Sequence, residues 1–160
     1  MKEFKKQTSF TIFESISDLL EEDSALLEQA KKAVDKAYAP YSHFQVGAAL
    51  LLENGKIIIG NNQENAAYPS GMCAERVAIW SAASHHPGIV VKKIAIAVKS
   101  QGKMIDKPVA PCGACRQSLL EYEIKQDEAI EVFFMGEIGK VVKANSLQDL
   151  LPFSFDKSYL

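Results

Sequence analysis

Val46-Gly47-Ala48-Ala49-Leu50-Leu51-Leu52 is an unbroken apolar run, followed by Glu53-Asn54-Gly55-Lys56 and then Ile57-Ile58-Ile59. An apolar run of this length reads as a strand. Asn-Gly is a hairpin dipeptide because both residues tolerate positive φ, so the second run returns beside the first. Helical patterns flank this hairpin on both sides in the sequence. Leu26, Leu27, Ala30, Val34, Ala37 and Tyr38 recur at spacings of three and four, which predicts a helix from about Ser24 that Pro40 stops. On the other side, residues 60–72 carry Gly, Asn and Pro and read as a loop. From Cys73 to about His85 the pattern is helical again, with Val77, Ile79, Trp80 and Ala83 apolar and Pro87-Gly88 as its stop.

Further out, Lys93 to Val98 reads as a buried strand and Ser100 to Ala110 as a loop. Pro111 suits the first turn of a helix, where a missing N–H costs nothing, and that helix should run to about Ile124. Ile130 to Met135 is a strand, residues 136–139 turn, Val141-Val142 extends again, and Ser146 caps a short helix before Pro152. Alternating helices and strands predict a layered α/β domain with a mixed sheet, spanning residues 24–160. Residues 1–23 read as a loosely attached lead of no assigned role, in which Thr8 to Phe13 could form a short edge strand.

The bulk properties narrow the function. A chain of 160 residues, 48% hydrophobic and 24% charged, is one ordinary globular domain and not a disordered, collagenous or disulfide-stapled class. Its 18 Lys+Arg against 20 Asp+Glu give a net charge of −2, which argues against polymeric nucleic acid but not against a small nucleoside. No apolar run is long enough to span a bilayer, so no membrane association is expected. Acidic residues from Asp18 to Asp23 interrupt any signal peptide, so a cytoplasmic location is expected. Three cysteines cannot form a closed disulfide set and read more readily as metal ligands or catalytic groups.

Those cysteines sit in two motifs, Cys73-Ala74-Glu75 and Pro111-Cys112-Gly113-Ala114-Cys115, each at a predicted helix N-terminus. A helix N-terminus favours thiolate over thiol, and Cys112 and Cys115 share one face of a first turn. Three such sulfurs suit Zn²⁺ with a fourth, open position for water. His85 lies about 18 Å along the helix from Cys73 and cannot close the site; neither can His86. His43, in a loop, leaves a structural Cys₃His site open as an alternative. Glu75 favours catalysis, because a metal-activated water must lose its proton to something. A thioredoxin-like pair in Pro-Cys-Gly-Ala-Cys is a further alternative, but it leaves Cys73 and Glu75 without a task. Three thiolates around Zn²⁺ carry a net negative charge, so a cation is expected nearby; Arg76, ahead of Arg116, is the candidate to donate to the sulfurs.

With these motifs the chain resembles the small, all-cysteine cytidine deaminases. The resemblance covers about residues 25–155 and rests on Tyr41-Ser42-x-Phe44-x-Val46-Gly47-Ala48-Ala49, Asn62-x-Glu64-Asn65-Ala66, Cys73-Ala74-Glu75-Arg76, Pro111-Cys112-Gly113-Ala114-Cys115-Arg116-Gln117 and Leu150-Leu151-Pro152-x-x-Phe155. It implies a three-layer α/β/α sandwich with a mixed five-stranded sheet. It implies hydrolysis of cytidine and deoxycytidine to uridine and deoxyuridine plus ammonia in pyrimidine salvage, a zinc-activated water attacking C4. Cys73, Cys112 and Cys115 would hold one zinc per chain and Glu75 would shuttle protons. Asn62 and Glu64 would hold the ribose, Phe44 the base, and the Ala74 backbone the pyrimidine edge. Arg76 and Gln117 would hydrogen-bond to cysteine sulfurs. Ala66, Tyr68 and Phe155 would complete a neighbour's site in a homotetramer with shared active sites. Gln63 and Asn61 depart from the residues common in that family. The alternatives are a deaminase of another aminopyrimidine, such as a cytosine-nucleoside antibiotic, and a zinc-stapled interaction module without turnover.

Overall fold

A computed structural model describes all 160 residues. The apolar run is strand β2 (Phe44–Leu52), and it turns at Gly55, with φ of 78°, into β3 (Ile57–Asn61). The turn is closed by Leu52 N–H donating to the Lys56 carbonyl at 2.9 Å. β2 is bonded on both sides, to β3 and to β4 (Val91–Ser100), antiparallel in each case. Beyond β4 come β5 (Glu131–Met135), parallel to it, and then the antiparallel β6 (Val141–Ala144), so the sheet is mixed.

The pleat divides the core in two. Ala48, Leu50 and Leu52 face α2 (Ala74–His85) and α3 (Gly113–Gln126), joined by Ile94, Ile96, Val132 and Phe134. Ala49 faces α1 (Glu21–Val34) with Ala95, Ala97 and Phe133. Helices therefore cover both faces, and the layers are α/β/α. Two glycines set the helix-to-sheet distance. A Cβ on Gly47 would lie 2.1 Å from the Ala30 carbonyl of α1, and one on Gly60 would lie 2.3 Å from the Ala74 carbonyl of α2.

The sheet has six strands, not the expected five, in the order β1-β6-β5-β4-β2-β3. The extra strand is β1 (Phe10–Phe13), drawn from the N-terminal lead and paired antiparallel with β6. Without it the backbone edge of β6 would be bare, and the aromatic and β-branched side chains of Phe-Thr-Ile-Phe suit a strand. The lead and the domain also meet inside α1, which begins at Glu21 rather than near Ser24. Ser24 donates its hydroxyl to the Glu21 carbonyl within that helix instead of capping it. Asp23, 5% exposed, is buried against Lys93 of β4 at 2.6 Å. Pro111 lies just before the cap of α3 rather than inside its first turn. Ser146 does cap the short α4 (Leu147–Leu150), accepting from Gln148 N–H at 3.0 Å.

Candidate active site

Both cysteine motifs open helices. Cys73 is the N-cap residue of α2, Cys112 that of α3, and Cys115 lies in the first turn of α3. The contact of Gly60 with Ala74 seats the start of α2 directly on β3. Arg116 secures the start of α3 by donating Nε to the Pro111 carbonyl and Nη1 to the Leu150 carbonyl, both at 2.8 Å. It does not reach a sulfur. The two helix starts thus meet with the three Sγ atoms within 4.8 Å of one another. Tetrahedral ligation with Zn–S near 2.3 Å needs sulfurs about 3.8 Å apart, so the corner has the right size. Its chemistry agrees, since three thiolates cannot crowd together without a cation among them. His43 lines a separate hollow with Tyr38 and Gln101 and takes no part, which removes the Cys₃His alternative.

Arg76 places Nη2 3.4 Å from the Cys73 Sγ, and its guanidinium lies 5.8 Å from the Trp80 ring. The hydrogen bond from Cys115 and this guanidinium pull the Cys73 thiol down to about 5, while the contact with Cys73 and burial push Cys115 up. Glu75 is 4% exposed, and burial raises its carboxyl pKa, helped by the negative charge at Cys73. A buried carboxyl beside a metal corner is suited to hold and pass on a proton.

Glu75, Cys73, Cys112 and Arg76 line a cavity of about 580 Å³ together with Phe44, Asn62, Glu64 and Tyr68. The structure thereby gathers most of the residues singled out from the sequence, and it places Tyr68, expected in a neighbour's site, on the wall of its own chain's cavity. The loop between β3 and α2 is pinned where Gln63 and Met72 exchange backbone hydrogen bonds at 2.8 and 2.9 Å. Asn62 bridges the start of β2: its Nδ2 donates to the Phe44 carbonyl at 2.9 Å and its Oδ1 accepts from Val46 N–H at 2.8 Å. Ala74, expected at the pyrimidine edge, is fully buried and does not line the cavity. Ala66 and Phe155 do not line the cavity of a single chain; Phe155 is 58% exposed and stacks on Tyr159 with centroids 5.7 Å apart. Gln117 departs from expectation: its amide donates to the Phe155 carbonyl at 2.9 Å, not to a sulfur, and so ties the C-terminal segment to α3. The sequence reading gave no site role to the lining residues Ser42, Met72, Val98 and Val109. Val98 carries no signal beyond that of a buried strand, whereas Ser42 sits two residues before Phe44 and could have been found as a hydroxyl beside the aromatic wall.

Residues 20–128 match a family model described as the cytidine and deoxycytidylate deaminase zinc-binding region. The chain belongs to this deaminase family. A cytidine deaminase of Halalkalibacterium halodurans is 42% identical over 130 residues, 81% of this chain and 91% of its own. One of Sporosarcina psychrophila is 40% identical over 136 residues, 84% of this chain and 92% of its own. The 1.6 Å crystal structure of cytidine deaminase from Burkholderia pseudomallei has a TM-score of 0.72 at 42% identity, covering 86% of this chain and 100% of that one. Zinc is accordingly the metal that the three-sulfur corner of this deaminase suits. No helix is long and apolar enough to cross a membrane.

Proposed function

We propose that the chain hydrolyses cytidine and deoxycytidine to uridine and deoxyuridine with release of ammonia. The observation that carries this reading is the buried Glu75 beside three converging sulfurs, two of which, Cys73 and Cys112, line with it a cavity that Phe44, Asn62 and Glu64 also line. When bound, zinc supplies a water of lowered pKa and a site that favours its attack. Glu75 accepts a proton of the attacking water and delivers it to N3 of the ring, which removes the N3–C4 double bond as C4–O forms. Glu75 then carries the second proton to the exocyclic amine. The C4–N4 bond breaks, ammonia leaves, and the carbonyl of uridine remains. Phe44 walls the base, and Glu64 accepts from a ribose hydroxyl.

The same lining favours a nucleoside over a nucleotide or a polynucleotide. Arg76 is the one cationic side chain on the cavity wall, and it is committed to Cys73. A phosphate would find no free partner there, while a hydroxyl finds the carboxylate of Glu64. Pyrimidine salvage in the cytoplasm is the role such a reaction fits. We also propose a homotetramer, supported by the exposure of Tyr68, Phe155 and Tyr159 and by the position of Ala66 and Phe155 outside their own chain's cavity. Chromatography of a cytidine reaction tests the activity. Uridine and ammonia should appear one for one, and cytidine 5′-monophosphate should be spared; conversion of the monophosphate at an equal rate would sink the nucleoside reading.

A further inference from the structure

Ser42 joins two substrate-facing residues that lie on different segments of the chain. Its hydroxyl donates to Glu64 Oε1 and accepts from Phe44 N–H at 3.0 Å. The other oxygen, Glu64 Oε2, accepts from the backbone N–H of Tyr41 at 2.9 Å and of Ser42 at 3.2 Å. Between Ser42 and Phe44 stands His43 with φ of 55°, a left-handed conformation that a non-glycine residue seldom holds without support from its surroundings. That turn is what lets one hydroxyl serve both Phe44 and Glu64. The hydrogen bond from Ser42, followed by those from the two backbone groups, holds the Glu64 carboxyl below its ordinary pKa.

The geometry points to Ser42 as a positioning residue that sets Glu64 and Phe44 as one unit and selects which lone pairs of Glu64 remain for a sugar hydroxyl. Its place in the molecule is the rim of the same cavity, and the inference rests on the reading of Glu64 as the ribose acceptor. A free carboxylate on a loop would accept a sugar hydroxyl from several rotamers, each with an entropy cost on binding. Fixing both oxygens beforehand removes that cost, so the loss of Ser42 should weaken binding of the nucleoside more than it slows the chemistry.

The test is steady-state kinetics on cytidine for the wild type, Ser42→Ala, Ser42→Thr, Glu64→Ala and the double variant Ser42→Ala/Glu64→Ala, with zinc content and thermal midpoint measured for each. Ser42→Ala should raise KM about tenfold, as expected for one hydrogen bond to a charged group, with kcat within about threefold of the wild type. Threonine keeps the hydroxyl and should restore KM. In the Glu64→Ala background the serine change should shift KM by clearly less than about tenfold, because only its bond from Phe44 N–H is left to lose. Additive effects in the double variant, an unchanged KM in Ser42→Ala, or a Ser42→Ala chain that fails to fold would each assign the serine elsewhere and overturn the inference. A wild type that turns over cytidine while Ser42→Ala matches it defeats the inference alone. A wild type without cytidine turnover defeats the proposed function and this inference with it.

Discussion

Arg76 shows how one side chain answers an electrostatic demand that was visible before any fold was known. Three thiolates on a divalent ion leave a surplus of negative charge, and a guanidinium 3.4 Å from Cys73 offsets it. Its Nε is buried without a partner, so the side chain is held by Cys73 and by its packing on Trp80. Arg76→Gln should lower kcat on the order of 10- to 100-fold while zinc content stays near one per chain; unchanged turnover would contradict this role. A different charge belongs to the fold. Lys93 is desolvated, which alone would pull its pKa down, but hydrogen bonds to Asp23 and Glu22 outweigh this and hold it above 10.5. A raised lysine pKa stabilises the fold fully below the unfolded value, and that stabilisation is lost as pH rises through the folded one. Lys93→Leu should therefore cost about 3 kcal/mol near neutral pH by stranding Asp23, and the gap in thermal midpoint from the wild type should narrow above pH 10.5. Lys93 was not legible as special in the sequence, because its partner Asp23 lies 70 residues away; Ser42 stood in a motif beside Phe44, but its tie to Glu64, 22 residues on, was not legible.

At the scale of elements, local signals were read well and long-range ones poorly. The β2–β3 hairpin and the helices opening at Cys73 and Cys112 follow from turn chemistry, apolar periodicity and helix-terminal chemistry, all within a few residues. The pairing of Phe10–Phe13 with Val141–Ala144 does not, since it depends on an edge formed at the far end of the chain. Gln117 makes the same point: its motif matched the family, yet its amide found the carbonyl of Phe155. Gly60 links an element to the chemistry. A Cβ there would lie 2.3 Å from the Ala74 carbonyl and 2.6 Å from the Ala78 nitrogen, both backbone atoms of α2 that cannot swing aside. Gly60→Ala should displace the first turn that carries Cys73 and Glu75. The expected outcome is loss of stoichiometric zinc and a destabilisation of about 3 kcal/mol, or roughly 6–12 °C in thermal midpoint for a chain of this size. Full zinc occupancy and an unchanged midpoint would contradict that close fit.

For the whole molecule, the two-sided burial of β2 decided the layering, and the six-stranded sheet with helices on both faces is its consequence. Assembly is where a single sequence is least informative, because aromatic residues left outside one core look alike whether they meet water or another chain. Phe153, Phe155, Tyr159 and Tyr68 are all well exposed in one chain. Light scattering should give a mass four times the 17.6 kDa of one chain; a monomer with full activity would contradict the shared-site assembly.

The most direct test of the catalytic centre is the loss of cytidine absorbance with wild type and Glu75→Ala side by side, with zinc counted in both. The wild type should convert cytidine. Glu75→Ala should keep its fold and one zinc per chain while turnover falls by roughly 10²- to 10⁴-fold. A folded, zinc-loaded wild type that leaves cytidine intact, or a Glu75→Ala chain that turns it over within tenfold of the wild type, would contradict Glu75 as the proton shuttle of a nucleoside deaminase.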